Sequence, residues 1–210
     1  AYYRRGWSCY RAGGNVCYAD TPTAMNREHA ILQADRCVAV SPSDTAPALI
    51  ALDAQMVVRR RGGERVIEAA DYFMGPSTDI TRMTALQPGE LLTAIRLPAT
   101  WAGARVYFEK ARDRQVWDFP LVNVASAIRM NGDRISEARI VVGAVAARPL
   151  RLTNVEQALA GKPLSAETIA AAAALAGVGM TDVSADIHAS EEYRRAMIPV
   201  FTRRALTAAM

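Results

Sequence analysis

Three groups of residues in this chain have the types and spacing to do chemistry. The first is Cys9, Cys17 and Cys37, a C-x7-C-x19-C series with Gly13-Gly14 letting the backbone wrap between the first two. Thiolates are the ligands of iron–sulfur clusters, which normally take four of them. His29 is the nearest further donor, although a lone loop histidine more often makes a backbone hydrogen bond. The competing reading is that the three are small buried hydrophobes or unpaired thiols. The second group is Ser43-Asp44, between a short apolar run and a helix. It places a carboxylate and backbone N–H groups at one edge, where a polar ligand can be held. A plain helix cap uses the same residue types. The third runs from Glu109 through Lys110 to Asp118, charged residues leading into Trp117. Such a loop can embrace a flat anionic ligand, or it is a solvated loop with one anchoring tryptophan.

Other chemistries lack their residues. The only histidines are His29 and His188, so no Ser-His-Asp set can be assembled, and no Walker loop, GxGxxG turn or zinc pair occurs. The chain has 210 residues, 51% of them hydrophobic and 22% charged, with no low-complexity tract, which is globular composition. The net charge of +4 is carried almost wholly by arginines scattered among acids. This argues against a nucleic-acid stripe. No run approaches the roughly 18 apolar residues that cross a bilayer. Three cysteines do not make a disulfide framework. The chain begins Ala-Tyr-Tyr-Arg-Arg, without Met or a targeting segment, and reads as part of a longer protein.

These groups must be positioned by regular elements. Residues 1–36 show no sustained period and are broken repeatedly by Gly, Pro and Asn, so they read as a cysteine-bearing loop. A loop of that length needs something to hold it. Cys37 to Val40 alternates like a half-buried strand, and Pro42-Ser43-Asp44 leads into a helix through Ala54. Met56 to Arg61 returns to strand, Gly62-Gly63 turns the chain, and Glu64 to Glu68 returns. One helical turn over Ala69 to Phe73, a loop, and the Pro88-Gly89 turn precede a strand from Glu90 to Leu97. Residues 99–103 read as a boundary. After it, Arg105 to Arg112, Leu121 to Arg129 and Ile135 to Val145 read as three antiparallel strands, the last two joined at Asn131-Gly132. Helices follow over Asn154 to Ala160, Ser165 to Leu175 and Ser190 to Ala208, two of them with Ser caps and acids in the first turn. The fold class is α+β.

Several stretches together resemble one family. They are Cys37 to Asp53 (CVAVSPSDTAPALIALD), Pro88 to Pro98 (PGELLTAIRLP), Lys110 with Arg114 and Asp118 before Val122-Asn-Val-Ala125, and Glu192-Tyr193-Arg194 with Arg203 to Leu206. In this order they are similar to the FAD-binding medium subunit of the xanthine dehydrogenase and carbon monoxide dehydrogenase molybdenum hydroxylases. The N-terminal run resembles the branch with an extra [4Fe-4S] cluster, as in 4-hydroxybenzoyl-CoA reductase and bacterial aldehyde oxidoreductases.

The resemblance implies the C-terminal part of a flavin-binding α/β subdomain, residues 37–98, followed over 103–210 by a three-stranded antiparallel sheet with a helical bundle. The family's first subdomain, whose Gly-rich loop holds the pyrophosphate, has no counterpart. That implies N-terminal truncation and weak FAD binding by these residues alone. The resemblance further implies an oxidoreductase subunit in which FAD receives electrons from a molybdenum-cofactor large subunit through a [2Fe-2S] small subunit and passes them to an external acceptor. Ser43 and Asp44 would contact the FAD ribityl or pyrophosphate region, Leu92 the isoalloxazine, and Lys110 would lie beside it. Trp117 and Asp118 would sit in the loop over its reactive face. Cys9, Cys17 and Cys37 would be three ligands of the cluster, the fourth lying just before Ala1. No residue is required as a proton-transfer catalyst. The implied setting is cytoplasmic, or periplasmic by export with a partner. A docking module without functional flavin is the alternative; it has no use for a charged, Trp-bearing loop.

Overall fold

A computed structural model describes residues 8–19, 21, 29–32, 37–180 and 191–210. Two antiparallel sheets organise them, joined by one short helix. The first sheet has the order β2-β1-β3, from β1 (Gln55–Arg60), β2 (Gly63–Glu68) and β3 (Leu91–Arg96). Gly62 makes the β1–β2 turn at φ +92°, a conformation that only glycine adopts readily. The second sheet has the order β4-β5-β6-β7, from β4 (Arg105–Ala111), β5 (Val122–Asn131), β6 (Arg134–Gly143) and β7 (Leu150–Arg151). Asn131 pairs with Arg134 across the Gly132-Asp133 turn. The second sheet therefore has four strands rather than the expected three. The two residues of β7 are too few to show a period of their own.

Among the described residues there are five α-helices: α1 (Thr45–Ala51), α2 (Ala69–Tyr72), α3 (Thr153–Leu159), α4 (Ala166–Ala173) and α5 (Glu191–Ala208). The Ser165 hydroxyl accepts from Thr168 N at 3.2 Å, the cap its position predicts. The other expected cap, Ser190, lies outside the described residues. Strand β5 is buried over Val122–Ile128 because layers cover both its faces. On one face Val124, Ile128, Ile140 and Val142 pack with Val155, Leu159, Ile169, Ile198 and Leu206 from α3–α5. On the other, Ala125, Ala127 and Val141 meet Ile50 of α1, Met56 and Val58 of β1, Tyr72 and Trp101. Fully burying an aliphatic side chain of this size contributes about 1.5–3 kcal/mol, so these two layers hold the molecule together.

Helix α1 is tied to the second sheet at both ends. At its start, Asp44 is bonded by Lys110 of β4. Just past its end, Asp53 accepts from Trp101 Nε1 at 2.8 Å and Arg139 Nε at 3.3 Å, and the Arg139 guanidinium lies over the Trp101 ring at 5.4 Å.

The segment before α1 is not a strand, as Cys37–Val40 suggested; it makes only an isolated bridge between Ala39 and His29. Its backbone bonds go elsewhere: Ile31 N and Leu32 N both reach Val145 O, Ala30 N reaches Val38 O, and Ser41 N reaches Ala146 O. Ile31 and Leu32 are thereby built into the helix-side core. Among the described residues no helix is long and apolar enough to cross a membrane.

Candidate functional site

The site grows from β4. Its alternation separates two faces. Arg105 donates to the carbonyls of Ala209 and Met210, and Glu109 pairs with Arg204, so the odd-numbered side chains face α5. Val106, Phe108 and Lys110 therefore lie on the α1 side, opposite Ala127, Ala125 and Asn123 of β5. Because β4 is an edge strand, Val106 and Phe108 stay substantially exposed and form an apolar strip ending at Lys110.

Lys110 is the hub. Its Nζ donates to Asp44 Oδ2 at 2.6 Å and to Asp118 O at 2.8 Å, and its side chain is only 13% exposed. Asn123 Nδ2 reaches Asp44 Oδ1 at 3.3 Å and Ser43 O at 3.4 Å. The Ser43 hydroxyl accepts from Ala46 N at 3.0 Å. Ser43 is thus a helix cap, and Asp44 is held by Lys110 and Asn123. The carboxylate works as an internal tie between α1 and the second sheet.

The Asp118 carboxylate is turned onto its own loop. It accepts from Asp113 N at 2.8 Å and Arg114 N at 2.7 Å. The Arg114 N–H bond foremost, helped by the Arg114 side chain, holds its pKa below the usual carboxylate range against the opposing effect of desolvation. Arg114 also donates to Trp117 O at 2.5 Å. The clasp fixes Trp117 at φ +56°, a left-handed conformation costly for a bulky residue, with its side chain 92% exposed. The tryptophan anchors nothing within the described residues; it is presented outward.

Of the six residues expected at the cofactor, the structure joins Ser43, Asp44, Lys110 and Asp118 in one network. Leu92 sits apart on β3, opposite Val58, half-buried against the α1-side core. Trp117 is joined to the network through the backbone of its loop. Two participants were missed in the sequence. Asn123 is completely buried and its Oδ1 has no partner among the described residues. Gly143 faces it: a Cβ there would fall 2.2 Å from Asn123 Oδ1 and 2.7 Å from Pro47 Cγ. The only sequence signal was an Asn inside an apolar strand. The exposed strip of Val106 and Phe108 was missed as well, since it becomes visible only once β4 is known to be an edge.

The cysteine loop closes through Tyr18 N to Ser8 O at 3.2 Å, which puts Cys9 and Cys17 just inside its two ends. Gly14 packs so close to Cys9 that a Cβ would lie 2.8 Å from Cys9 N. From the same loop, Arg11 Nε donates to Cys37 Sγ at 3.1 Å, and Nη1 to the carbonyls of Ile80 and Arg82. All three cysteines are free thiols. Among the described residues, no three His, Cys, Asp or Glu side chains gather as a metal site.

A flavin has a flat apolar ring system and charged extremities. The chain offers the Val106–Phe108 strip beside a fixed ammonium, and a buried acceptor, Asn123 Oδ1, without a donor. These features fit such a group.

Comparison with known proteins gives the family. Residues 11–100 match the FAD binding domain in molybdopterin dehydrogenase, and residues 106–209 the CO dehydrogenase flavoprotein C-terminal domain. The chain is 36% identical to the aldehyde oxidoreductase FAD-binding subunit of Escherichia coli, over 68% of this chain and 43% of that protein. It is 32% identical to the carbon monoxide dehydrogenase medium chain of Hydrogenophaga pseudoflava, over 80% of this chain and 56% of the other. Among solved structures, a Cu,Mo-CO dehydrogenase in its cyanide-inactivated form superposes with a TM-score of 0.69 at 31% identity, over 80% of this chain and 56% of that one. Quinoline 2-oxidoreductase from Pseudomonas putida 86 gives 0.70 at 29% identity, over 87% and 64%. The chain spans about half the length of the curated relatives it matches. With an FAD-binding domain and a flavoprotein C-terminal domain in consecutive order, the chain belongs to the FAD-binding medium subunits of the molybdenum hydroxylase family.

Proposed function

We propose that this chain is the flavin-holding part of an electron-transfer subunit. In this reading electrons from a molybdenum-cofactor large subunit reach it through a [2Fe-2S] small subunit and leave to an external acceptor. The observation that carries the reading is the Lys110–Asp44 pair at 2.6 Å, which joins the FAD-binding part to the C-terminal sheet beside an exposed apolar strip. Bound FAD supplies the redox chemistry by accepting and releasing electrons. The chain's own residues bind and tune. Val106 and Phe108 provide an exposed apolar wall, and Leu92 packs against the α1-side core. Lys110, anchored by Asp44 and Asp118, sets a positive charge that cannot swing away. The Asp118 clasp presents Trp117 where a covering side chain is needed. No side chain is asked to move a proton. Free thiols at all three cysteines suit a reducing compartment, and we place the subunit in the cytoplasm. The test is the visible spectrum of the complete subunit purified with its partners. About one flavin per subunit is expected, and a flavin-free complex would leave only a docking role.

The cysteines belong to the proposal as a ligand set. The closed loop around Cys9 and Cys17 and the Arg11 N–H on Cys37 Sγ support it, since N–H bonds to sulfur are a feature of iron–sulfur sites. Three thiols do not complete a [4Fe-4S] site, and no step is routed through one. Iron analysis of the complete subunit decides: Cys17→Ser should remove about four irons, and a wild-type subunit without iron of its own makes these structural thiols.

A further inference from the structure

On the α5 side of the same strand lies a hollow of about 500 Å³, between the C-terminal end of β4 and α5, within the size range of small-molecule sites. Lys110, Arg112 and Arg204 give it three cations against one carboxylate, that of Asp113. Lys110 is already committed to Asp44 and Asp118. Arg112 is exposed and has no hydrogen bond or ion pair among the described residues. Arg204 pairs with Glu109 at 3.7 Å, beyond hydrogen-bond length, and is held over the Phe201 ring at 5.1 Å. Two guanidinium groups thus stand ready for bidentate contacts to phosphate or carboxylate. Tyr193, from the first turns of α5, also lines the hollow and is about half exposed, leaving an aromatic surface for stacking.

We propose that this hollow binds a small anion carrying an aromatic ring, of nucleotide size and chemistry. A bare inorganic anion would leave most of the volume and the tyrosine unused; a neutral aromatic would leave the arginines unanswered. Of the flavin network only Lys110 lines the hollow; Ser43, Asp44, Leu92, Trp117 and Asp118 do not. Arg112, Arg204 and Tyr193 take no part in the flavin reading, so variants at these three test the hollow apart from it.

The experiment is calorimetric titration of the full chain with ADP, and in parallel with adenosine and with inorganic phosphate. ADP should saturate one site below roughly 1 mM, the weak end of specific small-ligand affinity. Arg112→Gln and Arg204→Gln should each weaken it about tenfold, and Tyr193→Ala should weaken it where Tyr193→Phe does not. Arg61→Gln, on the remote β1–β2 turn, should change nothing. Arg112 is exposed, so its variant stays informative if Arg204→Gln disturbs α5. Absence of saturation by ADP, or equal binding by the arginine variants, overturns the proposal. Phosphate binding as tightly as ADP reduces the hollow to a bare anion site and overturns it too. Displacement of ADP by FAD would assign the hollow to the flavin cofactor itself, and a second site would be lost.

Discussion

Single residues in this molecule do work that their position in the sequence conceals. Arg194 is the clearest case. It is 2% exposed on α5 and donates to three backbone carbonyls, those of Leu121, His29 and Ala144. The Glu-Tyr-Arg stretch therefore holds a structural tie: one guanidinium joins the segment before α1, the start of β5 and the end of β6. Arg194→Met would keep the volume and orphan three carbonyls, at a cost of about 3 kcal/mol or more. Urea unfolding followed by circular dichroism should show that loss; a change below about 0.5 kcal/mol, the level of an ordinary surface substitution, would refute the tie. Asp118 teaches the same lesson. The resemblance places it in the loop over the flavin's reactive face, and within that loop its carboxylate accepts from two N–H groups. Partners four and five residues upstream leave no pattern by which a clasp differs from a contact.

At the scale of elements, most of the strands and helices were legible because their signals are local. Gly62-Gly63, Pro88-Gly89 and Asn131-Gly132 are turns whose glycines sit at positive φ where needed, and Ser165 caps the helix it precedes. What was not legible depends on distant partners. Cys37–Val40 has a strand's alternation, yet Val38, Ala39 and Ser41 spend their backbone bonds on Ala30, His29 and Ala146. Strand β7 exists because β6 offers an edge. The β2–β3 sheet carries a tie that acid can break. Arg65 grips Glu90 with both carboxylate oxygens, at 2.8 and 2.7 Å, and Gln87 N adds a third bond. Arg65's hydrogen bonds, first among the causes, hold the Glu90 pKa at about 2, against 4.5 ordinarily. A carboxyl depressed in the folded state stabilises it above its unfolded pKa and loses that contribution as pH falls through the folded value. The window is thus from about pH 4.5 down to about 2. Glu90→Gln should flatten the stability–pH curve across that interval, measured by thermal midpoints; an unchanged slope would mean that the pair contributes nothing to pH dependence.

At the scale of the whole molecule, α1 acts as a pin between two sheets. Asp44 fastens one end and Asp53 the other, and the apolar layer beneath takes side chains from both sheets. The flavin-binding part and the C-terminal part share a core, so a charge on β4 can be fixed by a residue 66 positions away in sequence. That is why the site could be assembled from the sequence only through family resemblance: no local spacing links Asp44 to Lys110, or Asn123 to either. The proposed function makes Lys110, held by Asp44 and Asp118, a fixed positive charge at the flavin. The most direct measurement is the flavin midpoint potential of the complete subunit in its complex, wild type against Lys110→Met. Removing a cation should make reduction harder and lower the potential by roughly 30 mV or more, a tenfold shift for a two-electron couple. An identical potential in a variant that holds its full complement of flavin would contradict the account.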